Sequence, residues 1–134
     1  MIEYAFDTNT IVHLMRGTKS VHENRVQAQT NGARFIISRF VHYEVQRGLL
    51  IKPIFAHEKA YAVICDNCSV ENMNDDVWQC ASQIYADLYK KRFTVSDADI
   101  LIAAFCIVND YILVTDNIKD FENIDGLQLI NWVA

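Results

Sequence analysis

The sequence holds a single proline and four glycines in 134 residues, and no stretch is rich in Gly, Ser or Pro. That excludes collagen-like and low-complexity architectures and leaves no compositional linker at which to divide the chain. Long apolar runs are missing as well. The longest, Ile100 to Val108, falls well short of the about 18 residues that suggest a membrane-crossing helix. The opening MIEYAFDTN carries acids at Glu3 and Asp7 and no basic segment, so it does not read as a signal peptide. The expectation is a soluble, cytoplasmic protein with no membrane partner, folded as one domain over residues 1–134.

Zinc-site spacing is absent too. Cys65 and Cys68 form a CxxC, but no second CxxC and no HxxxH completes it. Neither does that motif follow the first strand, where a redox pair would stand, so the four cysteines read as small apolar side chains. His13, His22, His42 and His57 show no ligand spacing. A basic excess is lacking: 12 Lys and Arg against 17 Asp and Glu give a formal charge of −5. Bulk charge therefore cannot hold a nucleic acid, and only a local basic strip beside an acidic centre would.

What is present is a globular composition, 51% hydrophobic and 22% charged. Ile2 to Phe6 reads as a buried strand running into Asp7-Thr8-Asn9, followed by a short helical stripe over Ile11, Val12, Leu14 and Met15 that ends at Gly17. Ser20-Val21-His22-Glu23 has capping-box spacing and predicts the start of a second helix, stopped by Asn31-Gly32. Arg34 to Ser38 is a second strand, and Ser38 caps a helix with Val41, Val45 and Leu49 on one face. Lys52-Pro53 breaks it; a helix from 54 to 65 and a weak extended segment at 68–70 follow.

Asn74, Asp75 and Asp76 start a long helix whose Val77, Ala81, Ile84 and Leu88 line one face, with Lys90 to Arg92 at its positive-preferring end. Trp78, Tyr85 and Tyr89 share another side, and Trp78 is assigned to the core. Ser96 opens an apolar helix, and Tyr111–Thr115 and Leu127–Ile130 complete the strands. This alternation predicts an α/β fold with a central parallel sheet of four to five strands, covered by helices on both faces.

In such sheets ligands gather beyond the carboxyl ends of the strands, which selects Asp7 and Asp116. Glu44, Asp99 and Asp120 are further acids set among apolar residues. Two carboxylates about 5 Å apart repel by roughly 3 kcal/mol at an effective dielectric of 20, so their convergence calls for protons or a cation. Oxygen donors without His or Cys suit Mg²⁺ or Mn²⁺, and such a metal activates water and stabilises phosphate charge. Each acid also has a local role open to it. Asp7 can cap a helix, Glu44 can lie on a solvated face, Asp99 can pair with Ser96 in a capping box, and Asp116 and Asp120 suit a turn.

The order of these segments resembles a known family. FDTN, then SRFVHYEVQRG, then SDADILIAAFCIVNDYILVTDNIKDF, is similar to the PIN-domain ribonucleases of the VapC toxin type, over nearly the whole chain. The resemblance implies an Mg²⁺-dependent endoribonuclease that cleaves RNA, acts as a toxin, forms a homodimer and is neutralised by a cognate antitoxin protein. It implies Asp7, Glu44 and Asp99 as metal ligands, with Asn9 and Thr115 as supporting polar residues. Relatives place the fourth acid two residues after the threonine, where this chain has Asn117; Asp120 is favoured for it, with Asp116 as an additional candidate. Arg16, Arg39 and Arg47 are the candidate RNA contacts. The alternative is a PIN fold kept as a protein-binding module after loss of catalysis, against which Asp7, Glu44 and Asp99 count.

Overall fold

In the computed structural model, which describes residues 1–134, five short strands form one sheet. They are β1 (Glu3–Phe6), β2 (Arg34–Ser38), β3 (Ser69–Glu71), β4 (Ile112–Val114) and β5 (Leu129–Ile130), in the order β3-β2-β1-β4-β5. Every pairing is parallel. The helices are α1 (Thr8–Arg16), α2 (Lys19–Thr30), α3 (Arg39–Ile51), α4 (Phe55–Asp66), α5 (Asp75–Lys91), α6 (Asp97–Asn109) and α7 (Ile118–Phe121). Ala5 and Phe6 in β1, and Phe35, Ile36 and Ile37 in β2, are all buried although successive side chains point to opposite faces. Both faces of the sheet are therefore covered, as the continuous apolar runs of these strands require.

Register sorts the core into two sides. Tyr4 lies opposite Phe35, and Tyr4, Phe6 and Phe35 form an aromatic face on which Trp132 closes, with ring centroids 5.1, 5.8 and 6.4 Å away. Ala5, Ile36 and Leu113 pair in register on the other side. The strand order reverses between β1 and β4. The chain builds outward from β1 to β2 and β3, then returns to lay β4 and β5 along the free edge of β1. That reversal opens a crevice above the carboxyl ends of β1 and β4.

Most local signals hold. Ser38, Asn74 and Ser96 each accept a hydrogen bond from the backbone N–H three residues on, capping α3, α5 and α6. Gly17 ends α1 at φ 74°, a left-handed conformation that glycine adopts without strain. Two expectations fail. The capping box at Ser20 does not form: α2 starts at Lys19 after Thr18, and the Ser20 hydroxyl donates instead to the Val133 carbonyl. Trp78 is not core but 53% exposed. The stripe from Val77 to Leu88 takes the buried face of α5, and a helix turns the next residue about 100° away from it. All four cysteines are free, and burial pushes the Cys68 thiol up to about 12 and raises Cys80 and Cys106 as well.

Trp132 is the C-terminal lid on the aromatic face, buried among three rings contributed by β1 and β2. Trp132→Ala is expected to cost about 3–5 kcal/mol, read as a lower denaturation midpoint with an unchanged slope.

Candidate active site

Asp7 stands where β1 becomes α1. Its backbone is extended, and its Oδ1 accepts the Thr10 N–H at 2.7 Å, so the carboxylate caps α1. The Asp7 N–H and the Thr10 hydroxyl both donate to the Val114 carbonyl, at 3.3 and 2.7 Å, which stitches the first turn of α1 to the end of β4. Capping and site chemistry are thus not alternatives here: the cap is what aims the carboxylate into the crevice.

Only 4% of Asp7 is exposed. Burial lifts its carboxyl above the usual 3.8, hydrogen bonds from Thr115 and Thr10 pull it back, and the negative charge of Asp116 lifts it further. Asp99, in the first turn of α6, is also raised. Burial is the main cause and Ser96 opposes it, while the charges of Asp120, Asp7 and Glu44 all add to it. Four chain segments therefore bring acids into one electrostatic field. Asp120 reaches it from α7, an exposed turn anchored by buried Phe121.

Glu44, on α3, is held from both sides. The Thr8 hydroxyl donates to its Oε1 at 2.7 Å, and Arg47 lies 3.5 Å from its Oε2. Thr8 went unnoticed in the sequence, where Asn9 was the polar residue singled out; Asn9 is exposed, and it is Thr8 that ties α1 to α3. Asp116 also departs from strand alternation, which would turn it away from the pocket. Regular β4 ends at Val114, and the Asp116 carboxylate bears on Asp7 and lies 3.0 Å from His13 Nε2.

The basic residues divide. Arg16 lines a cleft of about 290 Å³ together with Thr8, Glu44 and Lys52, and Arg47 lies over the Tyr43 ring at 5.0 Å. Arg39 is instead bonded to Asn72, at 3.1 Å. Lys19 and Lys91 form surface ion pairs with Glu23 and Asp125.

No group of three or more His, Cys, Asp or Glu side chains is drawn together closely enough to hold a metal ion in this structure. The donor set nonetheless fits a hard divalent cation. It is all oxygen, two of its acids are raised by burial and by neighbouring carboxylates, and a cation relieves both penalties.

A raised carboxyl means that folding favours the protonated form, so metal-free stability falls as pH climbs from about the unfolded value of 3.8 through the higher folded one. Asn keeps the cap and lacks the charge. Without metal, Asp7→Asn is therefore expected to melt at or above the wild-type temperature at pH 7, with the difference closing toward pH 4. A variant that melts well below wild type at pH 7 contradicts this.

Comparison with known proteins agrees with this fold. Residues 4–127 match the PIN domain family model. A ribonuclease VapC1 of Rickettsia felis is 47% identical over 49 residues, a match covering 37% of each chain. The tRNA(fMet)-specific endonuclease VapC of Salmonella typhimurium is 29% identical over 135 residues, covering 98% of this chain and 99% of its own. The structure of VapBC2 from Rickettsia felis bound to a DNA fragment from its promoter superposes with a TM-score of 0.90 at 24% identity, over 98% of this chain and 99% of that one. With a parallel sheet whose switch point gathers acids from four segments, and a family match across almost its whole length, this chain belongs to the PIN domain family.

Proposed function

We propose that this protein is a metal-dependent endoribonuclease, a single-domain cytoplasmic toxin held in check by a cognate antitoxin protein. The observation that carries the reading is the field around Asp99, where the charges of Asp120, Asp7 and Glu44 act together although they come from distant parts of the chain. The ribonuclease activity printed for the similar VapC proteins supports it, as does the resemblance of the three acidic motifs. No helix is long and apolar enough to cross a membrane.

Asp7, Asp99 and Glu44 are the residues that would hold Mg²⁺, or Mn²⁺ in its place. Bound there, the ion would provide an activated water and neutralise charge building on the scissile phosphate. The chain does the rest. Asp7 is aimed by its cap, with Thr115 among its hydrogen-bond partners, and Glu44 is oriented by Thr8. Asp120 adds negative charge beside Asp99, and Arg16, Lys52 and Arg47 offer cations to the RNA backbone beside Glu44.

The expected assay result is cleavage of total RNA with Mg²⁺ and none with EDTA. Asp7→Asn and Asp99→Asn should each lose more than the about 10–100-fold typical of residues that only orient a ligand. Asp120→Asn and Asp116→Asn should lose less. Full activity in Asp7→Asn, or cleavage that survives EDTA, overturns the reading.

A homodimer belongs to the same proposal. Trp78, Tyr85 and Tyr89 lie 53, 54 and 74% exposed along α5, a contiguous aromatic surface of the kind that marks an interface. Light scattering at micromolar concentration should return twice the 15.4 kDa chain mass, and Trp78→Lys should halve it without lowering the melting temperature. A wild-type monomer removes the dimer.

A further inference from the structure

We propose that His13 is a positioning residue for the acidic pocket: it pins one oxygen of Asp116 so that the other is presented, bare, to the divalent ion or its water. The inference rests on the metal-dependent reading above and adds to it a residue that ligates nothing itself.

His13 lies in the last turn of α1, with both ring nitrogens engaged. Nε2 is 3.0 Å from Asp116 Oδ2, and Nδ1 is 3.0 Å from the Thr18 hydroxyl. An ionised carboxylate only accepts, so Nε2 carries a proton in either state of the ring and donates it to Asp116. Thr18 sits at the N-cap position of α2, yet its side chain makes no cap hydrogen bond, its hydroxyl being 3.0 Å from the imidazole. The ring thus links α1, the start of α2 and the segment after β4.

The second oxygen of Asp116 makes the arrangement purposeful. Oδ1 is buried and has no hydrogen-bond partner, the one side-chain atom of the protein in that condition. An acceptor left so costs about 1–3 kcal/mol, more when charged, unless something outside the chain satisfies it. Asp116 stands two residues after Val114, whose carbonyl accepts the Asp7 N–H at 3.3 Å, and its charge bears on Asp7, so the unpaired oxygen lies on the segment joined to the acid that would hold the cation. Carboxylates around metals are commonly held in place by hydrogen bonds from a further shell of side chains, and loss of such a bond weakens metal binding.

The test is Mn²⁺ binding to the purified chain without RNA, followed by electron paramagnetic resonance and calorimetry. His13→Leu should weaken binding about tenfold, while His13→Gln, whose amide nitrogen replaces Nε2, should restore most of it. In an Asp116→Asn background, His13→Leu should cost nothing further. Wild-type affinity in His13→Leu overturns the inference, and so does an equal loss in the Asp116→Asn background, which marks a merely structural side chain. Should His13→Leu fail to fold by circular dichroism, His13→Gln and His13→Asn decide: Gln reaches Asp116 and Asn does not, so equal affinities overturn it. A wild-type chain that cleaves RNA only with metal while His13→Leu binds normally sinks this inference alone. A wild-type chain that binds no Mn²⁺ sinks the proposed function with it.

Discussion

Everything around the pocket follows from keeping a carboxylate at Asp7 where water hardly reaches. A buried charge is unfavourable unless it is hydrogen-bonded and compensated. The chain supplies the bonds at once. The turn from β1 into α1 exposes helix N–H groups, and Asp7 accepts one of them from Thr10. The helix end is thereby satisfied, and its partial positive charge faces the anion. What the local turn cannot supply is compensation for the other acids, since Asp116 and Asp99 add charge of the same sign. The excess makes this corner an electrostatic demand on something outside the chain.

Topology explains why the demand collects there. In a parallel sheet every strand ends on the same edge, and the reversal between β1 and β4 leaves that edge open where Asp7 and Thr115 emerge. Two helix starts then contribute by the same device. Ser38 and Ser96 cap α3 and α6, and those helices carry Glu44 in the second turn and Asp99 in the first. Capping and acid placement are one design repeated along the chain. That repetition makes the motif readable: a hydroxyl or acid at a cap, with a carboxylate at the cap itself or within the next two turns.

Sequence patterns accordingly announced β2 over Arg34–Ser38, the buried stripe of α5, the turn over α7 and the acids themselves. Each of these is a local signal, written in periodicity or in a cap a few residues away. The misses are contacts without any such trace. Thr8 meets Glu44 across 36 positions, and His13 meets Asp116 across 103. No spacing rule connects such pairs. The failed capping box at Ser20 is the same lesson in reverse, because a distant partner, the Val133 carbonyl, took the hydroxyl that the local motif had reserved. Trp78 shows a further limit. An aromatic on a helix is core or surface according to which stripe a neighbouring helix covers, and α6 covers the one that starts at Val77.

A net charge of −5 finally bears on how such a protein could engage RNA at all. At physiological salt, charges more than about 8 Å apart are largely screened, so the global charge matters less than what surrounds the phosphate. Near Glu44 the chain offers Arg16, Lys52 and Arg47, the last already shared with Glu44 itself. Three cations release few counterions, which predicts shallow salt dependence and weak affinity from the protein alone. A divalent ion among Asp7, Glu44 and Asp99 would cancel two of their three negative charges and offer an arriving phosphate oxygen a cation to bind. The acids that repel RNA in the metal-free protein would then be the ones that bring it in, and binding and cleavage would depend on the same ion.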